Sequence, residues 1–191
     1  RQDIRSDLAH ADVLKTYPLP GWQIVLGELL TPIAILTALV WLSLLVIAFT
    51  LPTSQPGLEW LTPTLRIVGG LALAALTPAL VTLQLLVPNA AALVFPGWFQ
   101  ISRTRGGGPE VIGQRMIFFF AQVITMALAL LPAVAVGGLL IFIFQAFVGS
   151  VAAIVVAAMF VALVLAGEVW CGVWLLGRQF DRLDLSAEMR G

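Results

Sequence analysis

The run MIFFFAQVITMALALLPAVAVGGLLIFIFQAFVGSVAAIVVAAMFVALVLAG, Met116 to Gly167, contains no Asp, Glu, Lys, Arg or His. A helix in water needs a polar face, and this run offers none over its whole length. In a bilayer none is needed. About 20 apolar residues cross the hydrocarbon layer, so the run is long enough to cross twice. Leu29 to Leu58 and Ile67 to Ser102 are also uncharged and each can cross once. Of the 191 residues, 60% are apolar and 10% charged, where soluble domains carry roughly a quarter charged residues. The sequence predicts an all-α integral membrane protein.

Punctuation within the runs sets the number of crossings at four. The first is expected over 30–51, ending at LPTSQPG, where Pro52 and Pro56 remove donors and Gly57 relaxes φ. The second is expected over 65–87 with Pro78 as a kink, after which PNAAALVFPGW carries the chain to the interface. Gly106 to Pro109 reads as a turn, and the third crossing follows over 111–135. The pair Gly137 and Gly138 is expected to break it, leaving Leu139 to Phe147 as a re-entrant or interfacial segment too short to span. The fourth crossing is expected over 151–176. Basic residues support an even number: Arg1, Arg5, Lys15, Arg103, Arg105, Arg115, Arg178, Arg182 and Arg190 fall on alternate connections, with Arg66 on the other side. Lys and Arg collect on cytoplasmic loops, so both ends of the chain are expected in the cytoplasm.

The residues argue against chemistry on a substrate. RTRGGGPEVIGQR, Arg103 to Arg115, has glycines but no following Lys and Ser/Thr, so it lacks the phosphate-binding pattern of a nucleotide hydrolase. His10 stands alone between Asp7 and Asp12 and is read as a wet surface histidine, not a metal ligand. Cys171 has no second cysteine to pair with. Zero net charge gives no field for nucleic acid. No catalytic, cofactor or metal site is therefore expected in the chain. Glu168 is different. It lies about 12 Å inside the end of the fourth crossing, where an ionised acid costs about 2.5–3.5 kcal/mol at the centre and less away from it. It is expected either to line a pathway or to pack against a polar group of another helix.

The amino-terminal stretch DVLKTYPLPGWQIVLGELLTP, Asp12 to Pro32, joins a polar segment to the first crossing through a proline elbow flanked by Tyr17 and Trp22. Residues 1–15 can form a short, weakly amphipathic helix. Few soft dihedrals remain in such an elbow, so a push on the arm would displace the crossing behind it. DLAHADVLKTYPLPGWQIVLGELLTP resembles the cytoplasmic coupling segment of ABC-2 type exporter permeases. LVPNAAALVFPGWFQ, RGGGPEVIGQRMIF and LLGRQFDRLDLSAE are similar to later parts of a bacterial ABC exporter group.

The resemblance covers nearly the whole chain. It implies that the four crossings are the last four of a six-helix permease, with the first two absent from a chain that starts at Arg1. It further implies a permease domain of the bacterial inner membrane that forms homodimers or heterodimers and binds a separate ABC ATPase. That ATPase would hold the ATP. Residues 1–28 would be the coupling helix, centred on Asp7 to Thr16, and its elbow. Asp12, Leu14, Lys15 and Tyr17 would be the ATPase contacts. The segment 139–147 would match the family's short hairpin before its final span. A secondary, ion-coupled transporter is the main alternative, with Glu168 as its titrating group, and a membrane scaffold without transport is another.

Overall fold

A computed structural model describes residues 19–50, 62–94 and 109–182. They form four α-helices and, among the described residues, no strand: α1 (Gly21–Thr50), α2 (Pro63–Val94), α3 (Pro109–Val148) and α4 (Ser150–Arg182). All four are long and apolar enough to cross a membrane, over Gly21–Thr50, Pro63–Ala91, Met116–Val148 and Ser150–Asp181. The chain is a multi-pass membrane protein by that measure. Large apolar side chains such as Ile35, Leu42, Phe49, Phe119, Leu131, Phe142 and Leu163 lie on the outside. Water would penalise that surface, whereas lipid does not distinguish it from a core.

Helix starts follow from local chemistry. Thr62 caps α2: its Oγ1 accepts the N–H of Leu65 (3.3 Å) and its carbonyl that of Arg66 (3.0 Å). Pro63 occupies the first helical position, where a missing N–H costs nothing. Pro109 opens α3 in the same way, two residues before the expected start of the crossing at 111. Between α3 and α4 stands one non-helical residue, Gly149, at φ +80°, a conformation that L side chains avoid. Ala153 N–H then donates to the Gly149 carbonyl (3.1 Å). Gly137 of α3 packs against Val161 of α4, and the two are equidistant along the chain from Gly149, as an antiparallel hairpin requires.

That contact corrects the sequence reading of the third crossing. The expected break at Gly137 and Gly138 is absent; α3 continues through both to Val148, so Leu139 to Phe147 is the last part of one long helix and not a separate segment. Two forces favour continuity. An unpaired backbone group in hydrocarbon costs several kcal/mol, so the ladder is kept wherever it can be. Gly137 is buried, and a Cβ there would lie 2.9 Å from Val161 Cγ2. Its small size serves helix packing.

The four helices each contribute a segment to two compact units. The first draws on the described parts of Arg1–Ile33, Thr82–Leu128 and Val169–Gly191, the second on Ala34–Val81 and Ala129–Glu168. In the second unit Trp41 Nε1–H donates to the carbonyl of Ala74 (2.9 Å). Pro78 lies four residues after Ala74 and has no N–H to give it, so the indole fills the carbonyl that the proline leaves open. The first unit has a core of Val25, Leu29, Leu86, Val173, Leu176 and Phe180. Gly172 lets α4 approach α2 there: a Cβ on it would lie 2.9 Å from Leu86 Cδ1.

Candidate functional site

The elbow ends where α1 begins. Leu19 and Pro20 are non-helical and Gly21 is the first helical residue, so residues 21–28, read from sequence as part of the elbow, are already helix and continuous with the first crossing. Pro20 has no N–H to leave unpaired, and its carbonyl accepts the N–H of Gln23 (2.9 Å). The N–H of Gly21 donates to Oδ1 of Asp181 in the last turn of α4 (3.1 Å). Such first-turn donors have no partner within their own helix, and a carboxylate is the acceptor their dipole favours.

This clamp between the start of α1 and the end of α4 depends on two glycines. A Cβ on Gly177 would meet the Trp22 backbone, lying 2.6 Å from its Cα, and a Cβ on Gly21 would meet the backbone carbonyl oxygen of Gly177 as well as the Asp181 carboxylate. Backbone cannot rotate aside as a side-chain tip can, so both positions require the missing methyl. Behind the glycines Val25 and Leu29 of α1 are fully buried with Val173, Leu176 and Phe180 of α4. On α4 the spacing Val169, Val173, Leu176, Phe180 is one helical face, and Gly177 and Asp181 extend it.

Beside the clamp is a pocket of about 250 Å³ lined by Trp22, Trp170, Val173 and Trp174. Trp22 and Trp170 pack tilted, with ring centroids 5.8 Å apart and planes at 56°. The guanidinium of Arg178 stands 4.2 Å from the Trp174 ring centroid, in cation–π geometry. Trp170, Trp174 and Arg178 follow one another at i, i+4 and i+8, so α4 presents them on one face.

Glu168 is half-buried on α4, and its Oε2 is enclosed without a hydrogen-bond partner among the described residues. The serine, threonine or arginine that a helix-packing acid would use is not bonded to that atom. Asp12, Leu14, Lys15 and Tyr17, the expected ATPase contacts, lie outside the described residues, as does the expected helix that carries them. Of the five sequence-derived site residues, Glu168 alone lies among the described residues. The structure adds Gly21, Gly177 and Asp181, which the sequence reading passed over, although the GxxxD spacing from Gly177 to Asp181 on the apolar face of α4 was a usable signal. Among the described residues no group of three metal-ligating side chains occurs. No family model matches the chain, and no curated protein or solved structure matches it significantly.

Proposed function

We propose that this chain is the membrane-spanning permease part of an ATP-driven exporter of the ABC-2 type, moved by a separate ATPase. The clamp at the α1 start is the observation that carries the reading. A lever is useful only if the element it pushes does not slip, and here the residue after the elbow is bonded to α4 through Asp181 and packed on Gly177. A displacement of the amino-terminal arm would be delivered to α1 and α4 together. The chain would supply tilting helices, and the partner would supply the hydrolysis.

Charge placement supports an inward-facing arm. The helix ends that flank nine of the ten basic residues belong to the first unit, and the helix end at Arg66 belongs to the second. Applied to a bacterial inner membrane, the positive-inside rule sets the arm on the side where a cytosolic ATPase works. Glu168, enclosed with one oxygen unbonded among the described residues, suits a pathway that is wetted or occupied during transport. A dimer of such chains, or a pair with a related permease, would enclose that pathway.

The test is co-expression with a Walker-type ATPase encoded beside this chain, with single cysteines at Asp12, Leu14, Lys15 and Tyr17 and crosslinking before and after ATP trapping. A crosslink whose yield changes with nucleotide state is the expected result. Absence of co-purification together with absence of any crosslink in both states would overturn the proposal.

A further inference from the structure

We infer that the pocket lined by Trp22, Trp170, Val173 and Trp174, together with Arg178 on the Trp174 ring, holds the headgroup and upper chain of one anionic phospholipid. The inference rests on the chain spanning a membrane and on the pocket, not on the permease reading. Three observations converge on it. The pocket is small, about 250 Å³, below the roughly 300 Å³ at which drug-sized sites begin, so it takes part of a molecule and not the whole. Its walls are indole rings, apolar over their faces with one N–H each. Trp41 in α1 shows what a satisfied indole looks like, donating to a carbonyl 2.9 Å away; the indole N–H groups of Trp22, Trp170 and Trp174 have no such acceptor among the described residues. Those N–H groups are left as donors for a phosphate or ester oxygen beside the rings.

Charge selects the occupant. An aromatic box alone would suit a quaternary ammonium, but Arg178 already stands on Trp174 and repels a second cation. A phosphate is attracted by the same guanidinium, which presents several donors in one plane. Depth selects a lipid over a soluble anion. Arg178 lies one turn before the end of α4, and Trp170 is about 12 Å further into the span along the helix axis. Trp170 and Leu175 are exposed on the span's surface. Only a molecule with a charged head and an apolar tail can occupy both levels, phosphate at Arg178 and first acyl carbons along Trp174 and Trp170. Tryptophan rings at a span end are favoured at this interface in any case; a walled pocket with a cation stacked on one of its rings turns that preference into a site.

The full chain, delipidated in detergent, is titrated separately with phosphatidylglycerol and phosphatidylcholine, and bound lipid is read by native mass spectrometry. The expected result is one phosphatidylglycerol per chain, held about tenfold more tightly than phosphatidylcholine. Arg178→Gln should erase the difference and Arg178→Lys should keep part of it. Trp170→Leu should weaken both lipids. Trp41→Phe, outside the pocket, should change neither. Equal affinity of the unaltered chain for the two lipids, or an undiminished preference in Arg178→Gln, would overturn the inference. Displacement of phosphatidylglycerol by glycerol 3-phosphate at equal concentration would also overturn it, since the site would then recognise a free phosphate ester. Circular dichroism of each variant confirms that the helices are retained.

Discussion

Proline in a lipid-spanning helix leaves a carbonyl four residues earlier without its donor, and that oxygen has no water to turn to. Ala74 is such an oxygen, and Trp41 answers it from another helix. The pairing explains a tryptophan within the span, away from the interfacial belt the residue usually favours. It also gives a double-mutant cycle. Trp41→Phe keeps the ring and removes the donor, and is expected to destabilise the helix bundle by about 1 kcal/mol. Pro78→Ala restores the N–H and should make the indole donor redundant. In that background Trp41→Phe should cost little, a coupling measurable by unfolding in mixed detergent. Additive losses in the double variant would show that the indole bond does not compensate for the proline.

The same reasoning applies to Gly137 and Gly138 of α3, which are neighbours in sequence and differ in surroundings. Gly137 is buried against Val161, while a Cβ on Gly138 would meet nothing within 4 Å. Gly137→Leu is therefore expected to destabilise by about 1–3 kcal/mol through overpacking, and Gly138→Ala to be neutral or slightly stabilising through helix propensity. Thermal unfolding of both variants checks the asymmetry; equal effects would mean that Gly137 is not a packing position.

At the scale of elements, uncharged length was enough to count four crossings, because lipid leaves the backbone few options other than helix. Their ends were less legible. The sequence placed the first start at 30 and the structure places it at Gly21, since Gly21, Trp22 and Glu28 read as elbow or interface when the Asp181 carboxylate that accepts the first N–H is 160 residues away. The third end moved from 135 to Val148 because a glycine pair signals a break in water and close packing in a bundle. Only the side chain opposite decides between them, and a sequence does not display it. Gly149, the true hinge, carries a positive φ that its neighbour Ser150 could not adopt without strain. Gly149→Val is expected to cost about 1–2 kcal/mol by forcing the backbone out of that conformation, read as a lowered unfolding midpoint. A midpoint unchanged from that of the unsubstituted chain would remove the hinge assignment.

For the molecule as a whole, the clamp predicts that assembly and coupling can be separated. Gly177→Leu places a large side chain against the Trp22 backbone, where a Cβ alone is already too close, so the start of α1 must part from α4. Asp181→Asn is milder: it keeps an acceptor for the Gly21 N–H but removes the charge that strengthens the bond. If the arm works as a lever, neither change touches the surface an ATPase would grip, and both variants should still co-purify with it. Transport should fall in the order Asp181→Asn, then Gly177→Leu, while ATP turnover persists, because force is still applied but reaches α1 without α4. Glu168→Gln should give a different pattern, with the clamp intact, ATPase binding normal and transport reduced at a step inside the membrane. Parallel loss of ATPase binding and transport in Gly177→Leu would instead mean that the clamp shapes the docking surface, and the lever would have to act elsewhere. Unimpaired transport in Gly177→Leu, with the chain folded, would show that α1 and α4 need not move together.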